Sequence, residues 1–115
     1  MVVHIVLFRP KPGLTVPEQA ALEQSVTKVC EEVPSIRRFR VGRRVLHGRD
    51  YEKSMAENFS YAAIIEFDDL EGLQSYLQHP VHDDLAARFT EVLDTELIYD
   101  FKLEEMEKNK NFNVD

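Results

Sequence analysis

The sequence predicts an α+β fold of ferredoxin-like type: a four-stranded antiparallel sheet with helices on one face. Two observations predict it. The chain reads strand, helix, strand, strand, broken helix, strand between residues 2 and 103, which is the split β-α-β-β-α-β motif. The first and third strands are also apolar on both alternating sides, and helices on one face can cover only one of them. A second subunit is the economical cover for the other, which predicts a two-fold homodimer whose sheets close on each other.

Val2–Arg9, VVHIVLFR, is dense in β-branched residues and forms the first strand. Pro10-Lys11-Pro12-Gly13 stops it, because proline has no donor for the ladder and glycine permits the turn. Thr15 and Glu18 have capping-box spacing and Pro17 suits a first turn. Leu22, Val26, Val29 and Val33 recur at three- and four-residue steps, so a helix runs over 16–32 until Pro34.

A second strand is predicted over Ile36–Leu46. Phe39, Val41 and Val45 lie on one side, Arg38, Arg40 and Arg44 on the other, and Gly42 marks a bulge or bend. The 47–60 connection has no period and is the longest internal loop, where functional variation concentrates. Tyr61–Phe67, YAAIIEF, is the third strand. Asp68 and Glu71 have the spacing of a cap for a short helix carrying Leu70, Leu73 and Leu77, which Pro80 interrupts. Leu85, Phe89, Val92 and Leu93 mark a further helix over 81–95, and Leu97–Leu103 is the fourth strand. The domain is therefore expected over 2–103, followed by a polar, frayed tail over 104–115.

Composition narrows the function. The chain has 115 residues, 43% hydrophobic and 30% charged, as expected of one globular domain. A net charge of −7 argues against a nucleic-acid partner. No apolar run is long enough to span a bilayer, so no membrane is implied and a cytoplasmic location is expected. One cysteine, Cys30, excludes an internal disulfide, and its lack of a CxxC partner points to inert packing. The glycines form no phosphate cradle and no strong metal motif is present, so neither cofactor nor metal is expected.

His4 interrupts an apolar strand, so it is either a satisfied core histidine or a pocket residue able to transfer protons. His79 and His82 flank Pro80 in HPVH, where capping, pocket lining by His82 and metal ligation are the possible roles. Tyr61, Tyr76 and Tyr99 are candidate companions, because a phenol can hold an acid, a base or a substrate oxygen in place. Arg37, Arg38, Arg40, Arg43 and Arg44 form a basic cluster, read either as an anion site or as ordinary alternation on an edge strand.

HIVLF at the start, PSIRRFRVGR, YAAIIEFDDLEGLQSYLQHPVH and the closing LIYDF together resemble the stress-responsive dimeric α+β barrel (Dabb) family from Val2 to Leu103. The resemblance implies a homodimer in which two ferredoxin-like sheets form a dimeric α+β barrel. A plant polyketide cyclase of that family uses a histidine base and a supporting tyrosine. These correspond to His82 and Tyr76, with His4 as the strand histidine lining the pocket. A further pocket histidine of the cyclase falls at Tyr61, and the 47–60 connection also departs from it.

Three functions follow. The first is a stress-response-family homodimer whose pocket takes a small apolar or carbonyl-containing ligand without established catalysis. The second is a cofactor-independent cyclase or lyase: His82 removes an acidic proton, Tyr76 orients the base and His4 contacts a substrate oxygen. The third, by fold analogy alone, is a monooxygenase-like enzyme acting on an aromatic substrate.

Overall fold

The computed structural model describes residues 1–106. Its elements are β1 (Val2–Pro10), α1 (Val16–Glu32), β2 (Ile36–Arg43), α2 (Tyr51–Ser54), β3 (Tyr61–Phe67), α3 (Leu70–Gln78), α4 (Pro80–Val92) and β4 (Leu93–Lys102). The strands form one antiparallel sheet in the order β2-β3-β1-β4. α1 and α4 pack side by side over one face, and α3 joins them against β1, β2 and β3.

The sheet does not form the barrel expected from the sequence. The sheet is open: β2 and β4 are its two edges and do not pair with each other. A barrel filled by side chains takes about eight tilted strands, and four twisted strands leave their edges apart.

Strand register sorts the residues by face. On the helix side, β1 presents Val2, His4, Val6 and Phe8, beside Ala63, Ile65 and Phe67 of β3. Val2, Ile65 and Phe67 pack with Val29, Val33, Leu73, Tyr76, Val81 and Leu85 into one core cluster, and Val6, Phe8 and Ala63 pack with Val92 and Leu93 into a second. Each fully buried aliphatic or aromatic side chain contributes about 1.5–3 kcal/mol relative to exposure. The helix-free face carries Ile5 and Leu7 of β1, Ala62 and Ile64 of β3, and Leu97, Tyr99 and Phe101 of β4. The last three are exposed.

Several boundaries differ from the sequence reading, each for a long-range reason. β2 ends at Arg43 rather than Leu46 because its partner β3 begins at Tyr61, and Val45 and Leu46 are exposed beyond it. Its irregularity falls between Ile36 and Arg38, while Gly42 pairs in register with Ala62. β4 begins at Leu93, directly after α4, because Pro10 and Arg9 of β1 pair with Leu93 and Thr95. Arg9 then holds Asp94 at 2.8 Å.

The caps are local and follow from chemistry. Thr15 and Glu18 form the expected capping box on α1. α3 is capped by Asp69, whose carboxylate accepts from Gly72 N–H, while the neighbouring Asp68 pairs with Arg37. The 47–60 connection folds around Glu52, whose carboxylate accepts the backbone N–H groups of His47, Gly48 and Arg49. Gly48 takes φ +85° there, a conformation costly for other residues. Of the polar tail, Glu104–Met106 are exposed and irregular, and the rest lies outside the described residues.

Candidate functional site

His4, Tyr76 and His82 meet on the helix side of the sheet. β1 brings His4, the last turn of α3 brings Tyr76, and the first turn of α4 brings His82. Pro80 makes the meeting possible. It starts α4 as a first-turn residue, and His79 serves both as C-cap of α3 and as N-cap of α4. The His79 ring accepts the Val81 N–H through Nδ1 at 3.1 Å, so His79, and not His82, is the capping histidine of HPVH.

Tyr76 touches both other rings. Its centroid lies 5.9 Å from that of His4 and 4.8 Å from that of His82, edge to face in each case. Only 2% of the tyrosine is exposed. Burial pushes its phenol well above the usual range, and Cys30 of α1 adds to the effect, so this hydroxyl stays protonated.

His4 is equally buried, and its Nδ1–H donates to Asp100 Oδ1 at 2.6 Å. Asp100 faces it across the β1–β4 ladder and is partly open to water. Because a carboxylate accepts, this bond places a proton on Nδ1, and Nε2 makes no hydrogen bond among the described residues. The bond satisfies the partner that a buried imidazole requires.

His82 is different. Its Nδ1 is buried with no hydrogen-bond partner among the described residues, and the nearest carboxylate oxygen, of Asp83, is 4.0 Å away. Burial lowers its pKa below the ordinary histidine value and the nearby His4 lowers it further, against opposing effects of Asp83 and the Leu77 carbonyl. Near neutral pH this ring is uncharged and carries an unengaged nitrogen. Such a group can accept a proton.

The remaining candidates stand apart from the three rings. Tyr61 lies farther along the helix side, stacked on Phe8 at 5.4 Å and beneath Arg43. Tyr99 stands on the helix-free face, because alternation along β4 puts it opposite to Asp100. The space for a ligand is also separate. A cavity of about 560 Å³ opens between the sheet and α1, with Phe8, Leu22, Val26, Phe39, Tyr61 and Phe89 among its walls. Its volume lies within the range of small-molecule sites. None of the three clustered rings lines it. Leu22, Phe39 and Phe89 pack against the core on both sides of this divide. On the helix-free face, Met55, Glu57 and Phe59 of the 47–60 connection border a cleft of about 350 Å³ with Leu7 and Ala62.

Sequence reasoning did not single out Asp100. Its signal is a lone acid inside the apolar closing strand LIYDF. Arg43, likewise, stands out in the sequence only as one of the five clustered arginines.

Comparison with known proteins bears on the fold. The profile described as the stress responsive A/B barrel domain matches residues 2–103. No curated protein matches. Among solved structures, the Arabidopsis thaliana protein At3g17210 is similar at 20% identity with a TM-score of 0.77, over 93% of this chain and 99% of that one. A hydroxynitrile lyase from Passiflora edulis is similar at 16% identity and TM-score 0.75, over 92% and 90% of the two chains. A dimeric ferredoxin-like protein from Thermobifida fusca follows at 22% identity and TM-score 0.67, over 89% and 90%. No helix among the described residues is long and apolar enough to cross a membrane.

Proposed function

Because the chain belongs to the stress responsive A/B barrel domain family, we propose that it is a homodimeric small-molecule-binding protein. The observation that carries this reading is the cavity of about 560 Å³ between sheet and helices, whose walls are mostly aliphatic and aromatic. The ligand it suits is a small apolar compound, including carbonyl compounds. Residues 2–103 form the functional unit.

The dimer uses the helix-free face of the sheet. Leu97, Tyr99 and Phe101 are each about half exposed there, beside the half-buried Ile5 and Ile64. A contiguous apolar surface of this kind marks an association site. The similar Thermobifida fusca protein is itself dimeric. The test of ligand binding is thermal unfolding with and without propiophenone, for the native chain and for Val26→Trp, which fills the cavity. The ketone raises the midpoint of the native chain and leaves the variant unchanged. Equal shifts in both place binding outside this cavity and reject the reading.

One observation favours a second reading, cofactor-independent proton abstraction from a carbonyl compound. It is the buried and unpartnered Nδ1 of a His82 ring held neutral by its surroundings. In this reading the carbonyl compound binds beside the partly exposed His82 ring, outside the cavity of about 560 Å³. The proton next to the carbonyl moves to this nitrogen, and the electron pair of the broken C–H bond passes to the carbonyl oxygen as an enolate. Tyr76 fixes the ring from one side. A hydroxynitrile lyase shares this fold, so the fold is compatible with lyase chemistry in general. In such an enzyme His82→Ala depresses kcat while KM changes little, and unchanged kcat removes His82 from the role of base.

A further inference from the structure

The arginines of β2 and the residue just after it are not equivalent. Arg37 pairs with Asp68, Arg38 and Arg40 both reach Glu66, and Arg44 donates to the Asn58 side chain. Arg43 alone of these five has no acidic or amide side-chain partner among the described residues. Its guanidinium instead rests over the Tyr61 ring, 5.5 Å from the centroid. A cation at this distance is oriented by the ring's electron-rich face while its N–H donors stay free.

Its position gives that freedom a use. Arg43 pairs with Tyr61 at the end of β2 and lines the open-sided cavity that Phe8, Leu22, Val26, Phe39 and Phe89 also line. An apolar chamber with one unpaired planar cation at its rim has the layout of a site for an amphiphilic anion. The apolar body displaces water from the aromatic and aliphatic walls. The head group meets a fork of donors matched to two oxygens. Glu23 of α1 also lines the cavity and is exposed. It makes no ion pair with Arg43, so it leaves that guanidinium free for a ligand.

We infer that Arg43 is the specificity-determining residue of this cavity and that its ligands are apolar carboxylic acids, bound with the carboxylate on the guanidinium beside Tyr61. This narrows the ligand class of the proposed cavity and rests on that reading. It also gives one of the five clustered arginines an anion-binding role, while the other four serve as partners for acids and an amide of the fold.

The test is titration calorimetry with 4-butylbenzoate and its neutral isostere 4-butylbenzamide. Both are added to the native protein, Arg43→Gln and Arg40→Gln at low salt. The native protein and Arg40→Gln prefer the carboxylate by about tenfold or more, the usual scale of a charge-assisted bond. Arg43→Gln loses this preference and keeps its affinity for the amide. If the amide binds the native protein but the carboxylate has no advantage, or if Arg43→Gln retains the advantage, the assignment of Arg43 is overturned and the cavity reading stands. The assignment is overturned equally if Arg40→Gln removes the preference as fully as Arg43→Gln, since the whole arginine stripe would then attract the anion. If neither compound binds, both the assignment and the cavity reading fall.

Discussion

Replacing Asp100 with alanine is the most informative perturbation of the ring cluster. The His4 Nδ1–H that now donates to the carboxylate at 2.6 Å is left in a site where only 5% of the histidine is exposed. A hydrogen bond to a charged group contributes about 1.5–3 kcal/mol, and stranding its buried partner costs about the same. The Asp100 side chain is 44% exposed, so solvent screens the interaction. A discounted cost of about 1–2 kcal/mol follows. For a domain of this size that lowers Tm by about 3–8 °C. His4→Leu places an aliphatic group of similar size among Tyr76 and its apolar neighbours and removes the stranded donor. Adding Asp100→Ala to His4→Leu should therefore cost little more. Urea denaturation of the four proteins closes the double-mutant cycle, with an expected coupling of about 1–2 kcal/mol. A coupling near zero would show that His4 and Asp100 do not act as a pair, and the tautomer argument for His4 would fail with it.

Four further outcomes follow. His82 is held below its ordinary value of 6.5 by burial, so the unfolded chain binds a proton there that the fold resists. Its contribution to stability is complete above about pH 6.5 and is lost as pH falls from there through the lowered value. Denaturation midpoints measured across that window should decline less steeply in His82→Gln than in the native chain. Tyr76→Ala should cost about 3–5 kcal/mol through the cavity it leaves. Tyr76→Phe, which removes a hydroxyl with no protein partner among the described residues, should cost less than about 1 kcal/mol in the same urea assay. Ile5→Glu places a charge on the helix-free face and should convert a dimer to a folded monomer in sedimentation equilibrium; a persisting dimer puts the interface elsewhere.

What could be read in the sequence was what neighbouring residues decide. VVHIVLFR and YAAIIEF announce strands by their own composition, and Thr15 with Glu18 caps a helix through a three-residue interaction. Features set by distant pairing were not visible. The start of β4 at Leu93 depends on Pro10, and the end of β2 depends on where β3 begins. The cap of α3 moved by one residue because Asp68 was drawn to Arg37, a contact between β2 and the β3–α3 turn. The same limit governs the site. His4, Tyr76 and His82 are each conspicuous as polar groups in apolar surroundings, whereas Asp100 joins His4 only through the β1–β4 register. That register also turns Tyr99 to the other face. The cavity was out of reach for a related reason, since its walls come from five elements and Arg43 is distinguished only by what it fails to pair with.

A ligand cavity between the sheet and α1 has a definite signature in methyl NMR of the native protein titrated with propiophenone. Saturable shifts should appear on Leu14, Leu22, Val26 and Val41, the leucine and valine walls of the cavity, while Leu97 and Ile98 of β4 stay unmoved. Shifts confined to β4 and the helix-free face, or shifts that grow without saturating, would contradict a built site and leave only a sticky surface.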